Sequence, residues 1–480
     1  MNHIRIQLAA FLLLTFAPSL TGEAIRAAEK PDVLFIAVDD LNDWVGCLGG
    51  HPQAKTPNID RLAARGTLFT QAYCVAPACH PSRTAVSVGK RPSITGVYLN
   101  ERHQNTPNTE VLRGSVGMED QFAKNGYDVL VGGKLLGGAH YKMSPTRVVD
   151  RTSKDGLKAF VGSGPLDVED NVMGEYQLVD WAAKQLGTPH EKPLFLGVGF
   201  IKPHLPLAVP RLWFDLHPLE AVKLPTIIDD DLADVPSAGV AMAKPEQHQN
   251  VVKQGEWKQA VQAYLAAISF VDSQIGRLLD AADRRVSKRE LIIVLWSDHG
   301  WNLGEKHHWQ KFALWEDTTH IPLIVSVPGM SKPGSRCERP VDLLSLYPTL
   351  VDLCGLPTPD GLEGVSLLPL LKDPAAEWTR PAMTTWGRGN HSLRNDRFRY
   401  IRYADGGEEL YDHQNDPHEW KNLASDPALA EVKDGLARWL PKVEVPAPDE
   451  ETVKAKVKEV QERAKAKRGI PSTPIKRRAS

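Results

Sequence analysis

Only five cysteines, Cys47, Cys74, Cys79, Cys337 and Cys354, occur among 480 residues. That is too few for a scaffold built on disulfides, and their spacings do not form a zinc ribbon; the four other than Cys79 suffice for two disulfides at most, with partners that spacing does not choose. Neither sign of charge dominates, since 57 Lys and Arg face 59 Asp and Glu. Residues 451–480 hold ten of the basic and three of the acidic groups, so the rest of the chain is acidic and no nucleic-acid-binding body is expected. Beyond the N-terminus no uninterrupted apolar run approaches the roughly 20 residues of a membrane-spanning helix. Internal repeats are absent as well. A hydrophobic fraction of 42% with 24% charged residues excludes a disordered or collagen-like chain.

At the start, His3 and Arg5 precede an apolar run from Ile6 to Ala17, and Gly22-Glu23-Ala24, Ala27 and Ala28 offer small residues for cleavage. This pattern predicts a signal peptide over residues 1–28 and a secreted or periplasmic product. Val33 to Val38 then forms a β-branched, apolar run ending at Asp39-Asp40, the pattern of a strand buried on both faces. Leu194 to Phe200, Leu291 to Trp296 and Ile321 to Val327 read as further strands, and Thr56-Pro57-Asn58 opens a helix that closes at Gly66. Val261, Leu265, Ile268, Val271, Ile275, Leu278 and Leu279 follow the helical period, and a helix is expected over Val341 to Leu353. Strands alternating with helices predict an α/β fold with a large, mostly parallel sheet between helical layers, its ligand site at the strands' C-terminal ends. This catalytic unit is expected over residues 29–375. Short strands at Met383 to Trp386, Phe398 to Tyr403 and Glu409 to Tyr411 predict a smaller antiparallel subdomain over 376–445. The Lys-, Glu- and Ala-rich residues 446–480 read as a solvated helix and tail, because no aromatic residues interleave their charges as in a nucleic-acid arm.

The chemistry concentrates in Cys79-His80-Pro81-Ser82-Arg83. Taken alone, these residues describe a buried thiol ahead of a helix capped by Ser82. With Gly89-Lys90-Arg91-Pro92 following, the run resembles the signature of the sulfatase family, Cys-x-Pro-Ser-Arg continued by Gly-x-Arg-Pro. The resemblance implies an alkaline-phosphatase-like fold and oxidation of Cys79 to formylglycine by a formylglycine-generating or equivalent maturation enzyme. Arg83 would favour the ionised oxygen of that nucleophile, at a helix N-terminus that favours negative charge. Ser87-Val88 departs from the family's usual Leu-Thr.

Asp39-Asp40 and Asp298-His299 each follow a buried strand, and hard oxygen ligands there suit Ca²⁺ or Mg²⁺. The order resembles the sulfatase metal site, which implies Asp39, Asp40, Asp298, His299 and the modified Cys79 as ligands, with Ca²⁺ ahead of Mg²⁺. Breaking a sulfate ester needs cations around the sulfur and an acid at the leaving group. By resemblance Lys134 and Lys311 bind the sulfate and His204, within Lys202-Pro203-His204, is the acid. Where the family carries a histidine three residues after the first lysine, this chain has Gly137, and His140 is the candidate replacement. The resemblance extends from Pro31 to Leu423, is greatest to the iduronate-2-sulfatases, and implies hydrolysis of a sulfated glycan, such as a 2-O-sulfated uronic acid. Two alternatives remain open at this point: a phosphoester or phosphonate hydrolase of the same superfamily, which Cys79 argues against, and a degenerate, non-catalytic binder of sulfated polysaccharide.

Overall fold

Val33 to Val38 form the interior of β1 (Asp32–Val38), whose side chains alternate between two separate cores. Leu34, Ile36 and Val38 enter one, and Val33, Phe35 and Ala37 the other. A strand covered on both faces cannot alternate polar with apolar residues, which explains its unbroken hydrophobic run. The computed structural model describes residues 29–100, 110–135, 142–143, 152–154, 156–330 and 332–446. The expected leader over 1–28 and the tail from 447 onward lie outside the described residues.

With β1, strands β2 (Thr67–Phe69), β3 (Asp128–Gly133), β4 (Lys142–Met143), β5 (Leu194–Phe200), β6 (Leu291–Ser297), β7 (Leu323–Ser326) and β8 (Ser335–Cys337) make an eight-stranded sheet in the order β8-β2-β7-β6-β1-β5-β3-β4. All but β7 run parallel. The chain leaves β6 at the C-terminal edge and stays there through the small ribbon Asn302–Leu303/Trp309–Gln310. It re-enters the sheet from that same edge, so β7 runs antiparallel with no crossover helix between. The 27-residue helix Trp257–Asp283 covers one face through the apolar positions expected from its periodicity. Helices Cys79–Val88 and Leu346–Leu353 pack on the other. The expected mostly parallel sheet between helical layers is thus present.

Local boundaries differ where polar side chains intervene. The helix expected from Val341 begins at Leu346, because Val341–Asp342 pairs as a strand with Ala72–Tyr73 and the Asp342 carboxylate caps a short 3₁₀ turn by accepting the Leu344 N–H. The antiparallel sheet has four strands, β9 (Ala382–Thr385), β10 (His391–Arg394), β11 (Phe398–Arg402) and β12 (Glu408–Asp412). β10 escapes a hydrophobicity reading because Leu393 is its one aliphatic residue, yet all four positions are buried, Ser392 accepting from Arg399 and His391 pairing with Glu444. All five cysteines are free. Among the described residues, no helix is long and apolar enough to cross a membrane.

Candidate active site

Four adjacent parallel strands deliver their polar residues to one edge. β6 ends at Asp298-His299, β1 at Asp39-Asp40, β5 leads to His204 and β3 to Lys134. Asp40 turns the chain with φ of 62°, a left-handed conformation in which Asp is better tolerated than most residues. β3 and β5 approach closely enough to require glycine on both. Gly133 and Gly199 are opposite each other, Gly133 has φ of 70°, and the Lys134 N–H donates to the Gly199 carbonyl at 2.8 Å. A Cβ on Gly199 would come within 1.9 Å of the Lys134 carbonyl oxygen.

The Cys79–Val88 helix points its first turn at this edge. Cys79 is its first residue, so Ser82 lies inside the helix rather than at its cap, and the Ser82 hydroxyl donates to the Asp298 carbonyl at 2.7 Å. Around the Cys79 sulfur stand Lys311 Nζ at 3.0 Å, His299 Nε2 at 3.4 Å and Lys134 Nζ at 3.5 Å. Arg83, one turn along, donates from Nε to Asp298 Oδ2 at 2.7 Å and from Nη2 to Asp39 Oδ1 at 3.2 Å. Lys134 pairs with Asp39, and Lys311 with Asp40 Oδ1 at 2.8 Å. His204 Nε2 stands 4.0 Å from Asp40 Oδ2. The site opens on the side of Lys134 and His204, whose side chains are 34% and 30% exposed while the three carboxylates are fully buried.

These contacts set the charge states. Burial alone would raise the Asp39 carboxyl, but Lys134 and Arg83 hold it well below its usual range. Asp40 is likewise held down, against burial, by Lys311 and His204. Burial and Asp39 push the Cys79 thiol up, yet it settles at about 7 because Lys311 and His299 favour the thiolate. His204 rises to about 9, since Asp40 and Cys79 outweigh its burial.

Asp39, Asp40, Cys79 and His299 each offer one ligand atom, and those atoms lie within 4.8 Å of one another. Asp40 Oδ2 is buried and receives no hydrogen bond, an orphaned acceptor of the kind a bound cation satisfies. The paired carboxylates Asp39 and Asp40 supply the oxygen ligands that a hard divalent ion takes. Asp298 adjoins this group, with Oδ2 3.6 Å from His299 Nε2, while its Oδ1 accepts the Asp40 N–H at 3.2 Å. Nine of the ten residues singled out from the sequence therefore meet at one place. The tenth, His140, lies outside the described residues.

Sequence reasoning did not find the groups that hold this cluster from behind. The Tyr264 hydroxyl donates to the Asp40 carbonyl at 2.7 Å and accepts the Asn42 N–H at 3.0 Å. Ser297 Oγ accepts from Leu41 N–H and donates to the His299 carbonyl. Tyr264 sits on the buried face of a long helix, where its sequence position signals packing alone.

Residues 31–356 match the family model described as Sulfatase, and residues 304–445 match one described as N-sulphoglucosamine sulphohydrolase, C-terminal. A sulfatase of Formosa agariphila is 38% identical over 444 residues, covering 87% of each chain. The human iduronate 2-sulfatase is 30% identical over 400 residues, 70% of this chain and 71% of that relative. Among solved structures, the phosphonate monoester hydrolase of Agrobacterium radiobacter shares the fold, with a TM-score of 0.71 at 22% identity over 89% of this chain and 96% of that one. With the family model spanning well over half its length and a sulfatase relative 38% identical over 87% of the chain, this chain belongs to the sulfatase family and is a sulfuric ester hydrolase.

Proposed function

We propose that the protein is an exported hydrolase of sulfated glycans, acting on the sulfate ester of an acidic sugar such as a 2-O-sulfated uronic acid. The observation that carries this reading is the convergence of two ammonium groups and an imidazole within 3.5 Å of the Cys79 sulfur, at the first turn of a helix. Export rests on the leader expected over residues 1–28. The human relative's name supports the choice of sugar.

Cys79, oxidised to formylglycine by a maturation enzyme, would supply a hydrated aldehyde whose hydroxyl attacks sulfur. Asp39, Asp40, Asp298 and His299 would hold a divalent cation, Ca²⁺ by family resemblance, which when bound offsets negative charge on the sulfate and the nucleophile. The remaining work falls to side chains. Lys134 and Lys311 bind the sulfate oxygens and draw off charge as the sulfur–oxygen bond to the sugar breaks. Arg83, clamped between Asp39 and Asp298, fixes the carboxylates and keeps a positive field at position 79. His204, set at the open side, would give its proton to the departing sugar oxygen. His140, the candidate replacement for the histidine missing at Gly137, would be the base that returns the nucleophile to its resting form.

Parallel assays with an aryl sulfate, an aryl phosphate and a 2-O-sulfated uronic acid oligosaccharide test the reading. Sulfate release from the oligosaccharide is expected to exceed phosphate release. Preferential phosphate release would favour the phosphohydrolase alternative instead.

A further inference from the structure

Beside the reaction centre lies a cleft of about 650 Å³ to which Asn100, Met242, Lys244, Phe312, Trp386 and Asn390 contribute. A cleft of that size lies in the range of small-ligand sites. Its walls come from distant parts of the chain: the segment after Gly96, the Ser237–Ala243 helix, the residue after Lys311, and the turn joining β9 to β10. Two of these walls are tied to the nucleophile loop. The Phe312 N–H donates to the Pro77 carbonyl at 3.1 Å, and Asn100 Oδ1 accepts the His80 N–H at 2.9 Å.

Phe312 is held at φ of 83°, where a bulky side chain is strained. Such strain persists only when the surroundings impose it, and it clusters where side-chain aim matters. Here it turns the ring onto Trp386, with centroids 5.0 Å apart and planes 27° from parallel. The Lys311 ammonium lies 5.8 Å from the Phe312 centroid while staying 3.0 Å from the Cys79 sulfur. The aromatic wall therefore begins within 5.8 Å of an ammonium that would bind the sulfate. One face of a pyranose presents C–H groups, an apolar patch that aromatic rings cover well. At the rim, Lys244 is exposed and takes part in no ion pair among the described residues.

We propose that the stacked Phe312–Trp386 pair receives the pyranose ring bearing the sulfate ester, and that Lys244 pairs with a carboxylate on that ring. This assignment rests on the sulfated-glycan reading above and specifies the acidic-sugar subsite of the same centre. It makes Trp386, contributed by the antiparallel sheet, a specificity determinant rather than a catalytic residue.

The test compares kcat/KM for a 2-O-sulfated uronic acid disaccharide with that for ethyl sulfate, which has no ring to stack. Trp386→Ala should lower the ratio by tenfold or more, mainly through KM for the disaccharide, and Trp386→Phe should restore most of it. Lys244→Gln should weaken the uronic acid substrate more than a neutral sugar sulfate of the same size. Each variant's melting temperature identifies any loss that comes from misfolding. Unchanged ratios in folded Trp386→Ala and Lys244→Gln enzymes, with wild type active on the disaccharide, would overturn this subsite alone. A wild type inert toward every sulfated sugar would overturn the functional reading and the subsite with it.

Discussion

Lys311 Nζ lies 3.0 Å from the Cys79 sulfur and also binds Asp40 at 2.8 Å, in a buried position. Lys311→Met removes a preorganised cation from the position of developing negative charge, so kcat should fall by about 10²- to 10³-fold. It also leaves Asp40 undercompensated, and the loss of one partner of a buried pair costs about 3–5 kcal/mol. Steady-state kinetics and a melting curve on one preparation check both effects. A Lys311→Met enzyme with the wild-type rate would deny the lysine its sulfate-binding role.

The glycine contact between β3 and β5 positions the second lysine. A methyl group at 199 meets the Lys134 carbonyl oxygen at 1.9 Å, a clash with backbone that no rotamer relieves. Gly199→Ala should therefore cost roughly 1–3 kcal/mol, as overpacking does, and lower activity by shifting Lys134 away from Cys79. Urea unfolding with parallel assays measures both, and wild-type stability would show that the strands separate freely.

Glu119 supplies a pH dependence independent of the reaction centre. It is buried on the helix Met118–Lys124 beside the Cys79–Val88 helix, 3.5 Å from Ser87 Oγ, and burial pushes its carboxyl up to about 7. A raised acid favours the folded state while protonated, so its penalty is absent below about pH 4.5 and grows as pH rises through 7. At most it amounts to about 3 kcal/mol. Glu119→Gln should raise the melting temperature at pH 8 and leave it nearly unchanged at pH 4.5. Equal effects at both pH values would contradict a neutral buried Glu119.

His204 should matter in proportion to the basicity of the leaving group. His204→Ala is expected to slow sugar sulfates far more than aryl sulfates, whose phenolate departs without a proton. Equal losses on both substrates would remove the general-acid role.

Much of this arrangement was legible in the sequence because strand ends in a parallel sheet share one edge. Buried apolar runs marked β1, β5 and β6, and the acids and histidines directly after them had to emerge together. The Cys79–Arg83 run and the lysines added the rest through family resemblance. What stayed hidden depends on geometry without periodicity. The direction of β7 follows from a chain return that no pattern encodes, and β10 is buried through paired polar groups rather than hydrophobic ones. Tyr264, which holds Asp40 by its carbonyl, and the Phe312–Trp386 stack join residues far apart in the chain. His140, proposed from the gap at Gly137, is best examined by asking whether His140→Ala traps sulfated enzyme.

The most direct test is mass spectrometry of the tryptic peptide ending at Arg83, taken from enzyme of measured specific activity produced in a host with maturation machinery. The aldehyde form of residue 79 is expected, with its fraction rising in step with activity, while Cys74 in the same peptide stays a thiol. Fully active enzyme carrying an unmodified Cys79 would contradict the mechanism.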